Sequence, residues 1–145
     1  MDEYLLKRIR TEAKAIFRES LRPVNPYGAV KNFVRVENDQ LILGKDGEEQ
    51  NAIDLKQFDR ISLVGGGKAT APMAKAMEAL LGDRIDKGLI NVKYGFTEKL
   101  RVTRTVEASH PLPDENGVKG TEVIMDLLTK AGDKDLIISL ISWAG

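Results

Sequence analysis

The strongest constraint on this chain is a short apolar run that passes straight into three glycines and a lysine. Ile61-Ser62-Leu63-Val64 leads without interruption into Gly65-Gly66-Gly67-Lys68, and beyond it Ala69, Met73, Ala76, Met77, Leu80 and Leu81 recur along one helical face. A strand that turns through glycine into a helix is a unit of a parallel sheet covered by helices. Pro72 fits this helix only in its first turn, where its missing N–H costs no hydrogen bond. Gly82 closes it. Residues 88–92 and 101–106 follow as strands, and the second alternates charge with apolar residues, which places it near an edge. A helix carrying Val118, Val123, Ile124, Leu127 and Leu128 comes next, with Asn116 as its cap and Asp114 as a second candidate cap. Residues 135–141 are apolar on both faces, as in a central strand.

Ahead of this unit, Leu5, Ile9, Ala13 and Ile16 describe one amphipathic helix between Asp2 and Pro23. Pro23 and Pro26 punctuate the chain into a turn. Phe33, Val34 and Val36, then Leu41, Ile42 and Leu43, bracket Glu37-Asn38-Asp39-Gln40 as a β-hairpin, and residues 45–56 read as a polar surface connection. The expected fold is therefore α/β: a layered, mostly parallel sheet flanked by helices, with an N-terminal helix and hairpin over 1–58 and the repeating βαβ portion over 59–145. A chain of 145 residues has room for one such unit.

Composition removes several function classes. Twenty-two basic and 22 acidic residues cancel without forming blocks, so nothing favours nucleic acid or an acidic membrane as partner. The absence of Cys excludes disulfides, thiolate metal sites and Cys nucleophiles. No apolar stretch approaches the ~20 residues of a spanning helix, and the N-terminus is no secretory signal, so a soluble cytoplasmic protein is the expectation.

Two segments carry chemistry. Gly65, Gly66 and Gly67 would let backbone N–H groups approach an anion at a helix N-terminus, with Lys68 as a mobile positive charge; the same glycines also suit a plain tight turn. Walker A would need a hydroxyl residue where Ala69 stands and glycine where Ser62 stands. The dinucleotide fingerprint would need a small residue at Thr70 and a ribose-binding acid near Val92-Lys93-Tyr94, where there is none. A nicotinamide-dependent hydroxypyruvate reductase is therefore a second hypothesis. The other segment, Glu107-Ala108-Ser109-His110-Pro111-Leu112-Pro113-Asp114, holds the chain's one His on a proline-stiffened turn. His110 suits substrate binding or proton relay, and equally a structural turn. Too few ligands accompany it for a metal.

Residues 63–74, 107–114 and 135–142, in this order and spacing, resemble the glycerate kinase family of the 2-phosphoglycerate-forming type, once also described as hydroxypyruvate reductase. The resemblance covers essentially the whole chain, as the N-terminal part of a two-domain enzyme with a Rossmann-like domain. It implies a transferase that moves the γ-phosphoryl group of ATP, with Mg2+, to a hydroxyl of D-glycerate. Lys68 is similar to the family's active-site lysine, and Gly65, Gly66 and Gly67 to the loop presenting it. His110 and Asp114 match its histidine-proline turn, and Ser142 stands where its Ser-Gly-Gly-Gly-Ser loop begins. Trp143-Ala144-Gly145 then departs from that pattern, because an indole stands where backbone should meet phosphate. A truncated chain, catalytically inactive by itself and prone to self-association through its last strand, is the expectation; a non-catalytic association domain is the third hypothesis.

Overall fold

The computed structural model describes residues 2–142. Asp2 accepts a hydrogen bond from the Tyr4 N–H and opens helix α1 (Glu3–Leu21), on which no residue is buried and Ile16 and Phe17 stand 72% and 63% exposed. Where a turn was expected, a short 3-10 turn (Arg22–Val24) leads into a second helix, α2 (Pro26–Phe33). The reason is local: Asn25 caps the Gly28 N–H, and Pro26 occupies the first helical position, which needs no N–H of its own. The hairpin forms as expected from β1 (Val34–Glu37) and β2 (Gln40–Leu43), with Asn38 and Asp39 both at positive φ, the backbone of a tight two-residue turn. A third strand, β3 (Asn51–Asp54), pairs antiparallel with β2 inside the segment expected to be a plain connection. Its polar composition hides it, since of its four residues only Ile53 packs against the main core.

The second sheet contains β4 (Arg60–Gly66), β5 (Ile85–Lys93), β6 (Thr103–Ala108) and β7 (Asp135–Ile141), all parallel and ordered β6-β5-β4-β7. Helix α3 (Thr70–Leu81) links β4 to β5, and α4 (Glu115–Thr129) links β6 to β7. Strands β4, β5 and β6 progress in one direction and β7 returns to the far side of β4, so the order reverses between β4 and β7. In open α/β sheets, ligands bind beside the carboxyl ends of the strands at such a reversal. Strand β6 lies at an edge, as its charge alternation requires. Strand β7, apolar on both faces like a central strand, lies exposed at the other edge, as its expected role in self-association requires, with Ile141 62% exposed.

The core gathers Ile61, Leu63, Ile90 and Leu140 of the parallel sheet with Ala71, Ala74 and Met77 of α3, and extends to Leu41 and Leu55 of the hairpin region. Alanines on α3 let the helix lie close to the strands. Arg60 makes two hydrogen bonds to Asp135, its neighbour in register, at 2.6 and 2.7 Å, which fixes the start of β7 against β4.

Glu78, on α3 and only 8% exposed, accepts hydrogen bonds from the N–H groups of Arg101 (2.7 Å), Val102 (3.0 Å) and Thr103 (2.8 Å). These donors consume the start of β6, which is why the strand begins at Thr103 and not at Arg101. Burial pushes the Glu78 carboxyl up, but the backbone donors outweigh it and hold the group below the usual glutamate range. A carboxyl whose folded value lies below its unfolded one contributes stability that is complete above the unfolded value and disappears as pH falls through the folded one. Glu78→Gln is therefore expected to lose about 1–3 kcal/mol near neutral pH, the scale of donors left poorly paired. The difference from the parent should shrink below about pH 4.3, the ordinary glutamate value. Urea melts of both proteins between neutral and acid pH check this; a difference that stays constant across that range contradicts it.

Candidate functional site

The carboxyl end of β4 lies between those of β5 and β7, and glycine is what allows the approach. A Cβ on Gly65 would stand 2.1 Å from the Leu140 carbonyl oxygen, and Gly67, at φ +124°, would put one 2.2 Å from that of Ser142. The loop is tied on both sides. The Gly67 N–H donates to the Asn91 carbonyl of β5 at 3.0 Å, while the Ser142 N–H donates to the Gly66 carbonyl at 3.1 Å. The Ser142 hydroxyl in turn accepts from the Ala69 N–H at the start of α3, at 2.9 Å. Ser142 therefore meets the glycine loop directly, as a cap on the helix that the loop introduces. Lys68 follows on this loop, half-buried, and has no ion-pair partner among the described residues.

The proline turn reaches the same end of the sheet. His110 is exposed, its bond to Pro111 is cis, and it shares with Gly67 the wall of a cleft of about 580 Å³ between α4 and the carboxyl ends of β5 and β6. Asp114, not Asn116, caps α4: its Oδ1 accepts from the Gly117 N–H at 2.9 Å. Its Oδ2 accepts from the Tyr94 hydroxyl at 2.8 Å, and Asn116 Nδ2 donates to the same hydroxyl at 2.9 Å. The Gly117 and Tyr94 donors hold the Asp114 carboxyl below the usual aspartate range, and Asp114 in turn pushes the Tyr94 phenol up. Both Asp114 oxygens are thus occupied by the protein, fastening the proline turn to the end of β5.

Sequence reasoning passed over Tyr94 and Asn91. Asn91 Nδ2 donates to the Gly117 carbonyl at 3.2 Å and to Thr121 Oγ1 at 3.1 Å, and a Cβ on Gly120 would lie 2.0 Å from Asn91 Oδ1. The available signal was a lone amide inside an apolar strand, together with two glycines in one helix. Among the described residues no cluster of three or more His, Asp or Glu side chains is arranged to hold a metal, and no helix is long and apolar enough to cross a membrane.

Residues 12–145 match a family described as a domain of unknown function, DUF4147. The chain belongs to that family. Among the proteins it resembles, a glycerate 2-kinase of Pyrococcus horikoshii is 31% identical over 138 residues, 94% of this chain and 29% of the relative. A crystal structure of a Pyrococcus horikoshii protein superposes with a TM-score of 0.73 at 29% identity, covering 90% of this chain and 28% of that one. The crystal structure of Thermotoga maritima glycerate kinase gives 0.63 at 30% identity, covering 92% and 28%. The DUF4147 chain described here thus spans under a third of the length of these relatives. Sequence and structure agree on the α/β fold, with its parallel sheet, N-terminal helix and hairpin.

Proposed function

We propose that this chain supplies the phosphate-handling surface of an ATP-dependent kinase that converts D-glycerate to 2-phosphoglycerate in the cytoplasm. The observation that carries the reading is the loop Gly65–Lys68, set at the strand-order reversal between β4 and β7 with a lysine free of carboxylate partners among the described residues. Such a lysine suits neutralising negative charge on a transferring phosphoryl group or on the glycerate carboxylate. His110, on the wall shared with Gly67, suits a contact to a substrate oxygen. Asp114 serves the site by positioning that turn, and Ser142 by closing the loop. ATP brings the phosphoryl group, and Mg2+ would accompany its phosphates, held largely by phosphate oxygens and water. A nicotinamide cofactor is disfavoured at β5, where Asn91 is turned to α4 and the nearby carboxylates of Asp114 and Glu107 already accept from Tyr94 and the Gly95 N–H.

The names of the relatives support the kinase reading, while the chain matches under a third of each. The isolated chain is expected to be inactive and to self-associate through the open edge of β7, where backbone groups and Ile141 are exposed. Its test is a chimera in which residues 12–142 replace the matching segment of the Pyrococcus horikoshii glycerate 2-kinase. D-glycerate-dependent ADP release is expected from the folded chimera and not from the isolated chain, which should scatter light as a dimer or larger. A folded chimera without that activity, with circular dichroism as control, overturns the assignment.

A further inference from the structure

The cleft beside the glycine loop differs in character from the loop itself. Val92, Ala108, Pro113, Val118 and Met125 give it mostly apolar walls, and its volume of about 580 Å³ lies within the range of small-molecule sites. Glycerate is a poor occupant. A small carboxylate with hydroxyls would leave its oxygens unpaired against such walls, a costly burial. A planar heterocycle on a ribose matches both the size and the polarity, since its faces are apolar and its polar atoms lie at the edges.

Gly67 belongs to both places, forming part of the loop and of the cleft wall. A ligand with an aromatic body in the cleft would therefore carry its polar tail toward Lys68. The far wall is one stripe of α4, with Val118, Thr121, Glu122 and Met125 at helical spacing. Val118 and Met125 are each 54% exposed, apolar surface that an occupant would remove from water. The cleft is also held open by design of its contacts. Asn91 binds α4 at Gly117 and Thr121, and the Tyr94–Asp114 bond fixes the start of α4 to β5, so its walls are in place before a ligand arrives.

We propose that this cleft seats the nucleoside part of the nucleoside triphosphate whose phosphates lie at the glycine loop. The proposal rests on the kinase reading for the phosphates, but its own claim concerns the base and ribose. Adenosine and inorganic triphosphate, titrated separately into the isotope-labelled 145-residue chain and followed by NMR, separate the two. Adenosine is expected to shift amide signals of residues 108–125 and of Gly67. Val118→Trp, which crowds the mouth of the cleft, should weaken adenosine at least about tenfold and leave inorganic triphosphate unchanged. Lys68→Ala should do the reverse. Met125→Lys, which places a charge on the apolar wall, is the second variant should Val118→Trp fail to fold. Absence of adenosine shifts at millimolar ligand, or shifts insensitive to these α4 variants, overturns the nucleoside site even if triphosphate binds. Adenosine binding that responds to the α4 variants, without triphosphate binding that responds to Lys68, upholds the cleft and removes the kinase reading of the loop.

Discussion

Lys68→Ala, introduced into the glycerate kinase chimera, is expected to lower D-glycerate-dependent ADP release by about ten- to a thousandfold, the scale of removing one electrostatic donor from a developing negative charge. Its position sets the expectation. The backbone before it is fixed from both sides, by the Asn91 carbonyl on β5 and by Ser142 after β7, so the lysine stands on a rigid mount. Lys68 also lacks an ion pair among the described residues, so its loss should not unfold the protein. The decisive measurement is kcat and KM together with a thermal melt. A fall in kcat with an unchanged melt assigns the charge to the phosphoryl-transfer step. A change in KM alone assigns it to holding substrate, and unaltered kinetics remove Lys68 from the mechanism.

Gly65→Ala is expected to be the most damaging single methyl in the sheet. Its Cβ would stand 2.1 Å from the Leu140 carbonyl oxygen and 3.0 Å from Thr70 Cγ2, so backbone must move on the β7 side, where no rotamer change can relieve it. Overpacking costs about 1–3 kcal/mol, and a backbone clash that no rotamer relieves belongs at the upper end, about 3 kcal/mol. For a chain of this size that is a fall of roughly 10 °C in Tm. Gly66→Ala is the internal control: its nearest neighbour would be the Asn91 carbonyl at 3.8 Å, an ordinary contact, and its melt should stay close to the parent's. Equal effects at the two positions would mean that generic glycine entropy, and not the approach of β7 to β4, explains the loop.

The four parallel strands and their two helices announce themselves through apolar runs and helical spacing, because burying those faces leaves little freedom in composition. The glycine loop and proline turn could be placed at one end of the sheet by the rule for open α/β folds alone. Helix α2 was hidden by Pro26, which reads as a breaker until Asn25 is recognised as a cap. Strand β3 was hidden by polarity, since its pairing relies on backbone bonds to β2. The role of Asp114 depended on Tyr94, 20 residues earlier, a pairing that no local pattern specifies. The edge position of β7 agrees with the expected exposure of the last strand, although its apolar faces by themselves read as those of a central one.

The bond between Ala69 and Ser142 spans 73 residues of chain. As a nascent polypeptide leaves the ribosome, the glycines therefore appear long before the serine that secures them, and the loop has only its tie to β5 until β7 docks. The geometry of the glycine loop thus matures only once β7 has been made, and a chain halted before that strand would carry every glycine of the loop without its assembled form.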